Sequence, residues 1–205
     1  CPHDNVGIIS RLPAAELVND PMRSGLGFLS KRKDLAALAI VFTFGALLNA
    51  FGMVTPVYAL QTWLANSLGL TSEFPVLALL FGLLLVLEPV LLIGVAAWLS
   101  RLWSTNKTSL VSVAVRYSYS LAPIGFGIWL AHFSFHFLTG LYTFIPVTQA
   151  ALALGEPQWT LVGLSPNVVQ LFEFGFITLG LIGSLIVSYS IAMADELAHP
   201  TRVFI

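Results

Sequence analysis

The sequence predicts an all-α integral membrane protein, a four-helix bundle with both termini cytoplasmic, and three observations carry that expectation. Of 205 residues, 57% are hydrophobic and 9% charged, with a mean hydropathy of +0.88, against roughly 25% charged residues in an ordinary soluble domain. Four apolar runs, at about 35–56, 75–101, 118–145 and 168–193, each approach the roughly 20 residues a helix needs to cross the hydrocarbon layer. All nine Lys and Arg residues precede the first run, separate the second from the third, or follow the fourth. Short loops rich in these residues stay cytoplasmic, so the alternation sets the orientation.

Residues 1–34 form the long polar stretch, with prolines at 2, 13 and 21 and the basic cluster Lys31, Arg32, Lys33. They read as a cytoplasmic segment ahead of a four-span domain over 35–205. The chain starts with Cys and reads as a piece of a longer protein. Its single cysteine excludes an internal disulfide, and its nine basic and ten acidic residues leave no basic stripe for nucleic acid. No signal-peptide pattern opens the chain. The two outer connections, 57–74 and 147–167, each follow a Pro-Val and carry a tryptophan, Trp63 or Trp159. Such segments suit the membrane interface, and their likeness hints at a 2+2 internal repeat.

The third run carries His132 and His136, four apart and therefore on one helix face. Glu88 lies in the second run, Glu173 in the fourth and Asn49 in the first. Counting about 1.5 Å per residue from the outer ends predicts two polar layers, Glu88 with His132, and Glu173 with His136 and Asn49. A carboxylate beside an imidazole keeps that ring protonatable, so a ladder of His and Glu can pass protons or offer hydrogen bonds to a quinone carbonyl. Ionisable groups at membrane depth are functional by default. The plainer reading of the same residues is interhelical bonding, typically contributing under about 2 kcal/mol each.

Residues four apart on one helix cannot both ligate one haem, whose axial ligands approach from opposite faces. The run H-F-S-F-H also lacks the acid of the H-E-x-x-H zinc motif. Pro123, Gly125 and Gly127 allow a kink below the histidines. Gly175, Gly180, Gly183 and Ser184, with Gly45, Ala46, Ala50 and Gly52, read as close helix packing. Arg116, Tyr117 and Tyr119 read as an interfacial anchor.

Cys1-Pro2, followed by His3-Asp4-Asn5-Val6-Gly7-Ile8, resembles the close of the bacterial ferredoxin motif C-x2-C-x2-C-x3-C-P. With a polar segment ahead of several spans, the chain resembles the carboxy-terminal membrane part of a membrane-bound 4Fe-4S ferredoxin-type, polyferredoxin-like protein. The resemblance implies that Cys1 is a 4Fe-4S ligand completed by upstream cysteines. It also implies a multi-pass place in a bacterial-type inner membrane and other subunits of a redox complex as partners beside the lipid bilayer. The function it implies is the membrane domain of an iron-sulfur electron-transfer protein that exchanges electrons with quinone or a partner haem. Haem b ranks below quinone, and His132, His136, Glu88, Glu173 and Asn49 handle protons. A proton-coupled transporter or channel subunit and a structural anchor subunit are the alternatives from other classes.

Overall fold

The computed structural model describes residue 10, residues 32–103, 108–155 and 159, and residues 162–198, with 194–198 as backbone only. Cys1 and the basic residues Arg11, Arg23, Lys31, Lys107 and Arg202 lie outside the described residues. Every element among the described residues is helical, and four helices are long and apolar enough to cross a membrane: Lys33–Phe51, Glu73–Trp103, Leu121–Thr139 and Pro166–Met193. The chain is a multi-pass membrane protein.

Helix α1 (Lys33–Phe51) carries Asp34 in its first turn, where a negative charge suits the helix dipole. It stops at Phe51 rather than near 56. Val54 is extended and Pro56 starts α2 (Thr55–Ser67), because proline has no N–H to continue the preceding helix and fits a first turn. Helix α2 ends in a Schellman motif in which Leu70 N–H donates to the Ala65 carbonyl at 2.9 Å and Gly69 takes φ +63°.

The second span is a composite. Helix α3 (Glu73–Gly82), N-capped by the Ser72 hydroxyl, passes through a π-helical turn, Leu83–Leu87, into α4 (Glu88–Trp103). Pro89 accounts for the interruption: its ring crowds the Leu85 carbonyl and its nitrogen cannot donate.

The third run, expected at 118–145, is divided. Helix α5 (Leu110–Ser118) ends one turn before Pro123, whose ring excludes the Tyr119 carbonyl from a continuous helix. Helix α6 (Leu121–Thr139) follows after a tight turn, so the break falls at Tyr119 and Ser120 rather than as a kink inside α6. Beyond Gly140 the short α7 (Phe144–Ala151) lies in the outer connection, much as α2 does in the other one. Helix α8 (Pro166–Ala198) completes the fold.

In space α8 packs on α6, α6 on α1, and α1 on the π turn of the second span, while α5 touches α1, α4, α6 and α8. The small residues explain the tightest seam. A Cβ on Gly127 would come 2.6 Å from the Phe176 carbonyl oxygen, and one on Gly180 would come 2.9 Å from that of Pro123. At the start of α6, Ile124 N–H donates to Ser184 Oγ at 3.0 Å, which satisfies a first-turn donor that has no partner within its own helix. At its far end Leu138 O accepts from Leu164 N–H at 2.9 Å. That crossing needs Gly163, since a side chain there would collide with the Thr139 carbonyl.

Where α5 meets the bundle, Ala36, Val115, Tyr119, Val187 and Ile191 form one buried cluster. Tyr119 is not free as an interfacial anchor; it is 5% exposed and its hydroxyl donates to Arg32 O at 2.7 Å. The described basic residues Arg32, Lys33, Arg101 and Arg116 all belong to this end of the bundle, hereafter the basic end.

Candidate functional site

At the opposite end, α1 and α6 approach through polar atoms. Asn49 Nδ2 and His132 Nε2 lie 2.9 Å apart. An amide nitrogen only donates, so Nε2 accepts and the neutral ring carries its proton on Nδ1. One turn further along α6 the His136 ring meets His132 edge to face, with centroids 4.9 Å apart and planes at 76°. Asn49, His132 and His136 thus form one cluster drawn from two spans, and Glu173 of α8, half-buried, stands in a third span at a similar depth.

The Asn49 pairing differs by one turn from the sequence reading, which places Asn49 and Glu173 with His136. The cause is the end of the third span. With α6 closing at Thr139 rather than near 145, His132 lies seven residues inside the helix end, and Glu173 lies seven residues after Pro166. At 1.5 Å per residue both are about 10 Å deep.

Glu88 is not part of this cluster. It occupies the middle of the span Glu73–Trp103, half-buried, on a helix that packs against α1 and α5. Among the described residues no hydrogen bond or ion pair joins it to His132.

Burial within the cluster is graded. His132 is half-buried, whereas Asn49 and His136 are exposed on the flank of the bundle. The His136 ring also meets Phe135 edge to face, with centroids 5.4 Å apart. An aromatic series leads to this point along α6: Phe126 stacks on Trp129 at 6.0 Å, Trp129 meets Phe133 at 4.8 Å, and Phe133 meets His132 at 5.3 Å. Sequence reasoning passed over this series, although the spacing Phe126, Trp129, Phe133 holds it in plain view on one face.

The donor set was tested against the expected cofactors. A 4Fe-4S cluster takes four thiolates; the sequence holds one cysteine, Cys1, outside the described residues, so these residues alone do not fit a cluster. Among the described residues no three His, Cys, Asp or Glu side chains gather as a metal site. The Nε2 lone pair of His132, the one an axial haem ligand would use, is engaged by Asn49. What the cluster does offer is neutral donors and acceptors at the edge of an apolar bundle. No family model, curated protein or solved structure matches the chain.

Proposed function

We propose that the chain is the membrane domain of an electron-transfer protein that exchanges electrons with quinone at the Asn49, His132 and His136 cluster, with Glu173 at a similar depth as the proton source. The observation that carries this reading is the bonded pair Asn49–His132 beside an exposed His136. A quinone ring needs hydrogen-bond donors at its carbonyls and a proton source, and it arrives from the lipid. The exposed flank of His136 meets those needs. Reduction of quinone to quinol takes up two electrons and two protons; the electrons come from a redox partner on the cytoplasmic side, and Glu173 and His132 relay the protons.

The resemblance of the Cys1 segment to the close of a ferredoxin motif supports electron arrival at the basic end. The gathering of Arg32, Lys33, Arg101 and Arg116 there supports a cytoplasmic location for that end, in a bacterial-type inner membrane. The exposed polar side chains on the flank also suit contact with other subunits of a redox complex.

The test is quinone reduction by the full-length protein with its electron donor. His132→Leu is expected to lower turnover by about a hundredfold or more, the scale of a lost acid or base, and His132→Gln by nearly as much. Unchanged turnover in both variants sinks the reading. A second reading, proton movement without quinone, is favoured by Glu88, which stands at mid-span beside the π turn. It predicts a proton leak in liposomes that Glu88→Gln abolishes.

A further inference from the structure

A groove of about 490 Å³ runs between α1 and α6 from the basic end, lined by Leu35, Leu38, Phe42, Gly125, Phe126 and Trp129, with Ala39 and Ala122 at its base. Its lining positions step by three and four along each helix, and the same step leads on to Asn49 in α1 and to His132 and His136 in α6. Within its lining, Trp129 lies one turn before His132 and Phe42 two turns before Asn49, on the same helix faces. The rise from Ala122 to His132 is about 15 Å. The groove's walls are aromatic and exposed, with Phe42 69% and Trp129 46% accessible, and its volume lies within the usual range of about 300–1,000 Å³ for small-molecule sites. Gly125 allows α1 close to the base, since a Cβ there would strike Thr43.

An apolar groove followed on the same helix faces by neutral hydrogen-bonding groups matches a molecule with a carbonyl-bearing ring on a long hydrocarbon tail. A phospholipid matches less well. The described cations Arg32, Lys33, Arg101 and Arg116 all stand at the basic end, so among the described residues none is beside Asn49, His132 and His136 to hold a phosphate. Resting on the quinone reading, we infer that this groove holds the isoprenoid tail of a long-chain lipophilic quinone, with the ring at Asn49, His132 and His136 and the tail directed toward the basic end.

The experiment measures binding of two probes to the full-length protein in nanodiscs, a prenylated benzoquinone and the same ring without its tail. The readout is quenching of Trp129 fluorescence, with Trp129→Phe as the control that identifies the signal. Ala39→Phe and Ala122→Phe, which fill the groove, are expected to weaken the prenylated probe about tenfold and to leave the tail-less ring within about twofold; His132→Leu weakens both. If Ala39→Phe and Ala122→Phe leave the prenylated probe unaffected while His132→Leu weakens both probes, the tail lies elsewhere; the inference falls and the quinone reading stands. If neither probe binds the native protein, both fall. If the filled variants lose their helical circular dichroism, Phe42→Ala, which removes a wall instead of adding bulk, is expected to weaken the prenylated probe selectively, and equal loss for both probes overturns the inference. An organic extract of the purified protein is expected to contain prenylquinone that Ala39→Phe depletes; phospholipid alone in that extract also overturns it.

Discussion

Asn49 and His132 stand 83 residues apart in the chain and meet at 2.9 Å, a bond that fixes both the rotation of α6 against α1 and the tautomer of the imidazole. Interhelical polar bonds of this kind contribute modestly to membrane-protein stability, about 0.6 kcal/mol on average. Asn49→Leu is therefore expected to cost about 1 kcal/mol or less while changing the His132 ring. Nitrogen NMR of labelled histidine checks it. The native spectrum should report the proton on Nδ1, and the variant should show a tautomer mixture. An unchanged ring spectrum would mean that the bond does not hold the tautomer.

The seam between α6 and α8 admits no side chain at Gly127 or Gly180, whereas a Cβ on Gly175 or Gly45 meets nothing within 4 Å. Gly127→Leu and Gly180→Leu should each destabilise by about 1–3 kcal/mol, the scale of an overpacked core. Gly175→Ala and Gly45→Ala should be neutral or slightly stabilising, because they restrict the unfolded chain without a clash. Unfolding in mixed detergent micelles distinguishes the two pairs.

Ser184 accepts the Ile124 N–H at the start of α6. Ser184→Ala leaves that donor unpaired and is expected to cost about 1–3 kcal/mol. Amide exchange at Ile124 should quicken in the variant more than exchange at Ala131 in mid-helix. Equal quickening at both would indicate global loosening instead.

The basic end is expected to face the cytoplasm. In the 1–205 segment expressed with Cys1→Ser, within which no other cysteine occurs, Ser109→Cys should resist a membrane-impermeant thiol reagent in intact cells and react after permeabilisation. Ser72→Cys, at the N-cap of α3 on the opposite end, should react in both. The reverse pattern would invert the topology.

The spans were legible in the sequence because lipid selects for apolar composition, and any polar residue inside such a run stands out; His132, His136, Glu88, Glu173 and Asn49 were all visible for that reason. What joins what was not legible. Pairing depends on helix rotation and on where a helix stops, and the apolar composition of 118–145 runs through both the break at Tyr119 and the stop at Thr139. Pro123 marks the first, since its ring forbids the Tyr119 carbonyl. Gly140 at the C-cap marks the second more weakly, because glycine also occurs inside membrane spans. The neighbours of the second span were equally hidden: a leucine-rich face suits any apolar partner, so its preference for α1 and α5 emerges only from the packed chain.

The π turn at Leu83–Leu87 has a geometric effect on the whole second span. A π turn holds one residue more than the α-helical path, and each residue advances a helix by about 100° at 3.6 per turn, so α3 and α4 are out of phase with one another. Helix α3 meets α2, α4 meets α5, and α1 lies against the joint itself. One transmembrane rod thereby acts as two half-rods with separate facings, each aimed at its own neighbour, and the phase step between them sits directly before Glu88.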